Sequence, residues 1–184
     1  MLQRVVSFVM LFGLSAWLLP GLAYSGDGDA IRRSLEERLR PSRMEVANPA
    51  LEGYVFKPGA VLVLQPEGAP AKKLRTIQAN TKSPRFHVRD YAQVTVAPDG
   101  SLRAGPGDFT LPRGTRLVVL DLKVEEHRVR VFTHTLAPVP LPGGKRAYGC
   151  TEFVFPLDAT VRDRGDVATV TAQINRVLSL STDG

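Results

Sequence analysis

Hydrophobic positions along this 184-residue chain change period three times. A continuous apolar run from Val5 to Leu19 comes first, preceded by a single basic residue, Arg4, and followed by Pro20-Gly21-Leu22-Ala23. The run is short of the ~20 residues that a spanning helix needs, and the breaker followed by small residues suits a peptidase. Residues 1–23 therefore read as a secretory signal peptide cut after Ala23, or after Ser25 on the second small-x-small pattern; an uncleaved anchor is the alternative. From Asp27 to Arg40 the period becomes helical. Ile31, Leu35 and Leu39 recur four apart among Arg32, Arg33, Glu36, Glu37 and Arg38, with Asp27 and Asp29 as N-cap candidates and Pro41 as the stop. The stripe is narrow, which predicts a helix at the domain edge or loosely attached.

Between Tyr54 and Thr135 the period is that of strands, with Gly and Pro as punctuation. Ala60–Leu64 is continuously apolar and reads as a strand covered on both faces. Leu74–Ala79 and Tyr91–Ala97 are further strands; in the second, Val94 and Val96 oppose Gln93 and Thr95, and Pro98-Asp99-Gly100 turns the chain. Leu117–Val124 and Arg128–Thr135 form a hairpin around Glu125-Glu126-His127. One face of its second strand carries Val129, Val131, Thr133 and Thr135; the other carries Arg128, Arg130, Phe132 and His134. Ala147–Phe155 is a last strand, with Tyr148, Cys150, Glu152 and Val154 opposite Thr151, Phe153 and Phe155. Asp166 then caps a helix whose apolar positions, Val167, Val170, Ile174, Val177 and Leu178, extend it to about Leu180.

These elements predict a mainly β (α+β) chain: a small antiparallel sheet or a partly open barrel, with a short N-terminal helix and a C-terminal amphipathic helix. The Gly-led turn Leu111-Pro112-Arg113-Gly114-Thr115 feeding the hairpin resembles the central part of an SH3-like barrel. The organisation expected is signal peptide 1–23, N-terminal helix and linker 24–53, and a β-rich domain with its C-terminal helix over 54–184. Such a chain is exported, periplasmic or extracellular, with no transmembrane span after cleavage.

Cys150 is the only cysteine, so no disulfide forms within the chain and packing must hold it. The net charge is +6, and the leader takes away only Arg4, so the exported part remains basic. Outside a cytoplasm that bias favours anionic envelope polymers or head groups over nucleic acid. Lys72, Lys73, Arg75, Lys82, Arg85 and Arg89 fall within eighteen residues that contain no acid. Arg113, Arg116, Arg128 and Arg130 make a second cluster on or beside the hairpin, with Phe86, Tyr91 and Phe132 as stacking or packing groups. If the clusters share a face they form an anion-binding surface; otherwise they are solubilising charge.

Candidate chemistry is sparse. The histidines are His87, His127 and His134, and no pair has the spacing of a zinc site. Neither a metal nor another cofactor is expected, and no phosphate-cradling loop, dinucleotide fingerprint or Gly-x-Ser-x-Gly elbow occurs. His134 and, sixteen residues on, Gly149-Cys150 resemble the His and Gly-Cys pair of L,D-transpeptidases, which crosslink peptidoglycan through a cysteine. That resemblance implies Cys150 as nucleophile and His134 as an accessory histidine. The chain departs from it in having Ala147-Tyr148 where the family has Ser/Thr-His, and Thr151-Glu152 where it has an early Arg. The favoured expectation is a non-enzymatic module that binds an anionic envelope polymer or envelope protein through a basic surface. The cysteine enzyme and a structural envelope component are the alternatives.

Overall fold

The computed structural model describes residues 26–45, 55–57, 59–73 and 90–182; the expected signal peptide, the expected strand at 74–79 and the residues Arg75, Lys82, Arg85, Phe86, His87 and Arg89 lie outside them. Helix α1 (Gly26–Leu39) follows the predicted stripe, but Ile31, Leu35 and Leu39 are fully buried. The expectation of an edge or loosely attached helix is therefore corrected. Three leucine-sized side chains four apart form one continuous ridge, and here that ridge joins the core of the sheet, with α1 packed on the strand Arg116–Glu125 and on two more helices, α2 (Ala159–Asp163) and α3 (Val167–Asn175).

Strands follow α1 in the order β1 (Arg43–Glu45), β2 (Val55–Lys57), β3 (Val61–Leu64), β4 (Ala69–Lys73), β5 (Ala92–Val96), β6 (Leu102–Ala104) and β7 (Phe109–Leu111). The long hairpin β8 (Arg116–Glu125) and β9 (Arg128–Thr135) comes next, then β10 (Val139–Pro140), β11 (Arg146–Ala147), β12 (Gly149–Pro156) and, after α3, β13 (Leu178–Leu180). Nine of these build one curled, open sheet in the order β13-β3-β8-β9-β12-β4-β7, with β5 also on β12 and β6 on β5. β1 pairs with β2, and β10 with β11, as separate ribbons.

The sheet is larger than the small antiparallel one expected, and it includes a parallel pair, β12 with β5. Short strands account for the difference. Pro66, Gly68 and Pro70 read as the end of a strand, yet Ala69–Lys73 is itself a strand, because its pairing is split: Ala69–Ala71 on β7, Lys72 and Lys73 on β12. Pro70, which lacks an N–H, thereby occupies a position where a proline is tolerated. β3 alternates buried Leu62 and Leu64 with half-buried Val61 and Val63, so its two faces are not equally covered.

The last helix is also shorter than predicted. α3 ends at Asn175, and Leu178, Ser179 and Leu180 instead pair with Leu64, Val63 and Leu62. Leu178-Ser179-Leu180 fits a period of two as well as Val177 and Leu178 fit the helical one, and β3 had an unpaired edge to offer. The Val177 carbonyl accepts from Gln65 N at 2.8 Å, which joins the turn to the sheet.

Between α1 and β3 the chain passes close to itself. Ala60 N donates to the Arg40 carbonyl at 3.0 Å, Gly59 N to Ser42 Oγ at 2.8 Å, and Ser42 N to the Val119 carbonyl at 2.7 Å. A Cβ on Gly59 would stand 1.5 Å from the Arg40 carbonyl oxygen, so the crossing needs glycine there.

Two expectations follow for denaturant unfolding. Leu35→Ala should cost about 2–5 kcal/mol, as for a core leucine, where a peripheral helix would lose less than about 1. Gly59→Ala should lower the unfolding midpoint more than Ser42→Ala, which removes a single hydrogen bond of about 1 kcal/mol.

Candidate functional site

Cross-strand register sorts the side chains of β8, β9 and β12 into two faces, as the alternation predicted. Val129, Val131, Thr133 and Thr135 of β9, with Thr151, Phe153 and Phe155 of β12, face the helices. The outer face carries Lys123 opposite Arg130, Asp121 opposite Phe132, Phe132 opposite Glu152, and His134 opposite both Val118 and Cys150. Tyr91, just before β5, packs edge-on to Phe132 with ring centroids 5.1 Å apart. Tyr148 lies against His134 at the same separation.

Acids interleave with the hairpin bases. Arg130 Nε donates to Glu152 Oε1 at 2.5 Å and its Nη1 to Glu125 Oε1 at 3.0 Å, while Arg128 Nε reaches Glu125 Oε2 at 2.5 Å. Gln93 Nε2 adds a 3.4 Å contact to Glu152. Glu152 is only 6% exposed, and Arg130 lies against it as its partner. Conversely, the hydrogen bond to Glu152, aided by that to Glu125, holds the Arg130 guanidinium above its already high ordinary pKa. Hydrogen bonds from Arg128 and then Arg130 lower Glu125. Lys123 and Arg130 also stand 5.4 and 4.9 Å from the centroid of Phe132. Phe132 is thus a buried packing group beside both cations, and the positive charge of Arg128 and Arg130 is balanced locally. Of the missed partners, Glu125 was accessible to sequence reasoning, because the hairpin turn sets it opposite Arg128; Glu152, on a different strand, was not.

Cys150 and His134, expected as candidate nucleophile and accessory histidine, are direct cross-strand neighbours. Both are fully buried. Burial pushes the thiol up to about 12 and the imidazole down to about 4, the latter partly offset by the hydrogen bond from Nδ1 to the Thr135 carbonyl at 2.7 Å. At neutral pH both groups are uncharged, the opposite of the thiolate–imidazolium pair that a cysteine nucleophile uses.

The remaining bases divide between a turn, a strand end and the outer sheet face. Arg113 is exposed in the β7–β8 turn, where its N–H donates to Glu67 Oε2 at 2.7 Å, and Arg116 is exposed opposite Val63. Lys72, opposite Cys150, is on the same sheet face as Arg116, Arg128 and Arg130, and pairs with Asp108 at 3.3 Å. Lys73 is exposed at the end of β4.

A cavity of about 240 Å³ opens beside them, lined by Lys72, Lys73, Asp90, Tyr91 and Asp108. Its origin is topological. One edge of β12 pairs with β4 at Gly149 and Cys150 and then with β5 from Thr151 to Val154, so β4 and β5 diverge from a shared neighbour. Burial, then the negative charges near it, raises the Tyr91 hydroxyl above its ordinary pKa, so it remains a donor. Among the described residues, no three His, Cys, Asp or Glu side chains converge as metal ligands would.

Because His134 has a folded pKa of about 4 against an ordinary 6.5, the unfolded chain binds more protons between these values. Stability supplied by neutral His134 is complete above pH 6.5 and is lost as pH falls toward 4, by about 3 kcal/mol in all. The drop in unfolding free energy between pH 7 and 4.5 should be smaller in His134→Gln by an amount of that order. Cys150 should resist a thiol reagent in the native protein across pH 5–9 and react on denaturation; native labelling at the denatured rate would place it at the surface. In double-mutant cycles the Arg130–Glu152 coupling should exceed that of Arg128–Glu125, whose partners are more exposed. Comparison with protein-family models, curated proteins and solved structures finds no match for this chain.

Proposed function

We propose that the protein is an exported, non-enzymatic β-rich module that binds an anionic envelope polymer through the basic end of β4 and the run that follows it. The observation that carries this reading is the contrast between the two basic clusters. Arg128 and Arg130 are matched by Glu125 and Glu152 in a closed network. The stretch from Lys72 to Arg89 has six bases and no acid of its own, and it begins where Lys73 is exposed. Of this stretch Lys72 pairs with Asp108 at 3.3 Å, and the excess of one sign along its sequence is what attracts a polyanion.

The cysteine-enzyme reading has less support, since a nucleophile needs an approach for substrate and an accessible thiolate. Cys150 has 0% exposure and a raised pKa. A partner protein with an acidic surface would use the same bases.

Binding to a polyglycerol phosphate, measured by calorimetry on the chain from Tyr24 onward between 50 and 300 mM salt, tests the proposal (salt range about that needed to shorten the Debye length well below 10 Å). Affinity should fall steeply with salt, and K72E/K73E should weaken it about tenfold or more, while Arg128→Gln changes it less than about twofold. Salt-independent binding, or equal losses in the two variants, would overturn the proposal.

A further inference from the structure

The fork between β4 and β5 has a charge pattern that a plain polyanion complements only in part. Lys72 is committed to Asp108 at 3.3 Å, and Asp108 also accepts from the Lys73 backbone N–H at 2.9 Å. That leaves Lys73 and Asp90, which among the described residues have no ion partner and which both line the cavity. One residue of each sign therefore borders the same space.

We infer that this fork is a recognition site for a small zwitterionic group, one carrying a phosphate or carboxylate and an amine a few bonds apart. A purely anionic ligand gains Lys73 but meets Asp90, and a purely cationic one gains Asp90 but meets Lys73. A zwitterion pairs both, and like-charge repulsion makes the other two bind at this fork more weakly. Size agrees. A space of about 240 Å³ equals about eight waters at ~30 Å³ each, which suits a head-group-sized moiety and is below the ~300 Å³ at which drug-sized pockets begin. Tyr91 on its wall packs edge-on against the buried Phe132, whose ring also has Arg130 at 4.9 Å. The site deepens the polymer-binding proposal and rests on it for its setting: the repeat unit bound along the basic run would carry an amine.

Calorimetry with O-phosphoethanolamine, inorganic phosphate and ethanolamine as separate probes tests the site. Phosphoethanolamine should bind at least about tenfold tighter than either half alone, a difference of about 1.4 kcal/mol. Asp90→Asn should reduce it to the level of phosphate and Lys73→Gln to that of ethanolamine, with thermal melts of both variants unchanged because both positions are exposed. Equal binding of phosphate and phosphoethanolamine, tighter binding in Asp90→Asn, or no binding of any probe would overturn the inference. Pelleting with phosphatidylcholine vesicles only when they contain phosphatidylethanolamine assigns the group to a lipid head; binding of the soluble probe without pelleting assigns it to a free or polymer-borne source. Loss of zwitterion preference with polyglycerol phosphate binding intact sinks this site alone. Zwitterion binding without polymer binding sinks the polymer proposal.

Discussion

Backbone pairing of β12 is the constraint on which the rest of the sheet depends. It pairs with β9 from Cys150 to Pro156 on one edge, and with β4 and then β5 on the other. From Gly149 to Phe155 every residue is buried. A strand enclosed in this way must satisfy its polar groups internally. Threonine hydroxyls do so at the β4 end: Thr133 Oγ1 donates to the Thr151 carbonyl at 2.9 Å, Thr151 Oγ1 to the Pro70 carbonyl at 2.8 Å, and Gly149 N to Thr135 Oγ1 at 3.0 Å. Gly149 itself permits the approach of β4 and β7, since a Cβ there would lie 2.9 Å from Ala71 Cβ and 3.0 Å from Phe109 Cζ.

The two faces of that strand solve different problems. Its inner face joins Phe153 and Phe155 to the helix residues Ile31, Leu35, Val170 and Ile174 in one apolar core. Its outer face buries Cys150 and Glu152, and neither is left to chemistry: the thiol is neutral through desolvation, and the carboxylate is held by Arg130 and Gln93. A surface that looks reactive in one dimension is thereby a second packing layer. Removing one partner of the Arg130–Glu152 pair would strand the other in a poorly hydrated place, which is why the pair behaves as structure.

Divergence of β4 and β5 from the same edge creates the concavity at Lys73 and Asp90. Sheet pairing fills space only where strands run side by side; where two strands leave a common neighbour in sequence order reversed by a parallel pair, side chains alone close the gap. The charged groups at the strand ends, Lys72, Lys73, Asp90 and Asp108, occupy that gap because strand ends are where solvent still reaches the sheet.

Local periodicity by itself determined α1, the β8–β9 hairpin, the two faces of β9 and β12, the turn at Gly114 and the cap of α3 at Asp166, because each depends on residues within a few positions of one another. It also brought His134 and Cys150 into view as a pair. Tertiary structure alone decided that α1 is core, that β4 continues through Pro70, that Leu178–Leu180 pairs with β3, and that nine strands of the described residues join one sheet. It alone decided, too, that Glu152 neutralises Arg130 and that desolvation silences Cys150. Those outcomes depend on groups far apart in sequence whose free energies are set by burial, and burial is a property of the packed chain that no short window of residues contains.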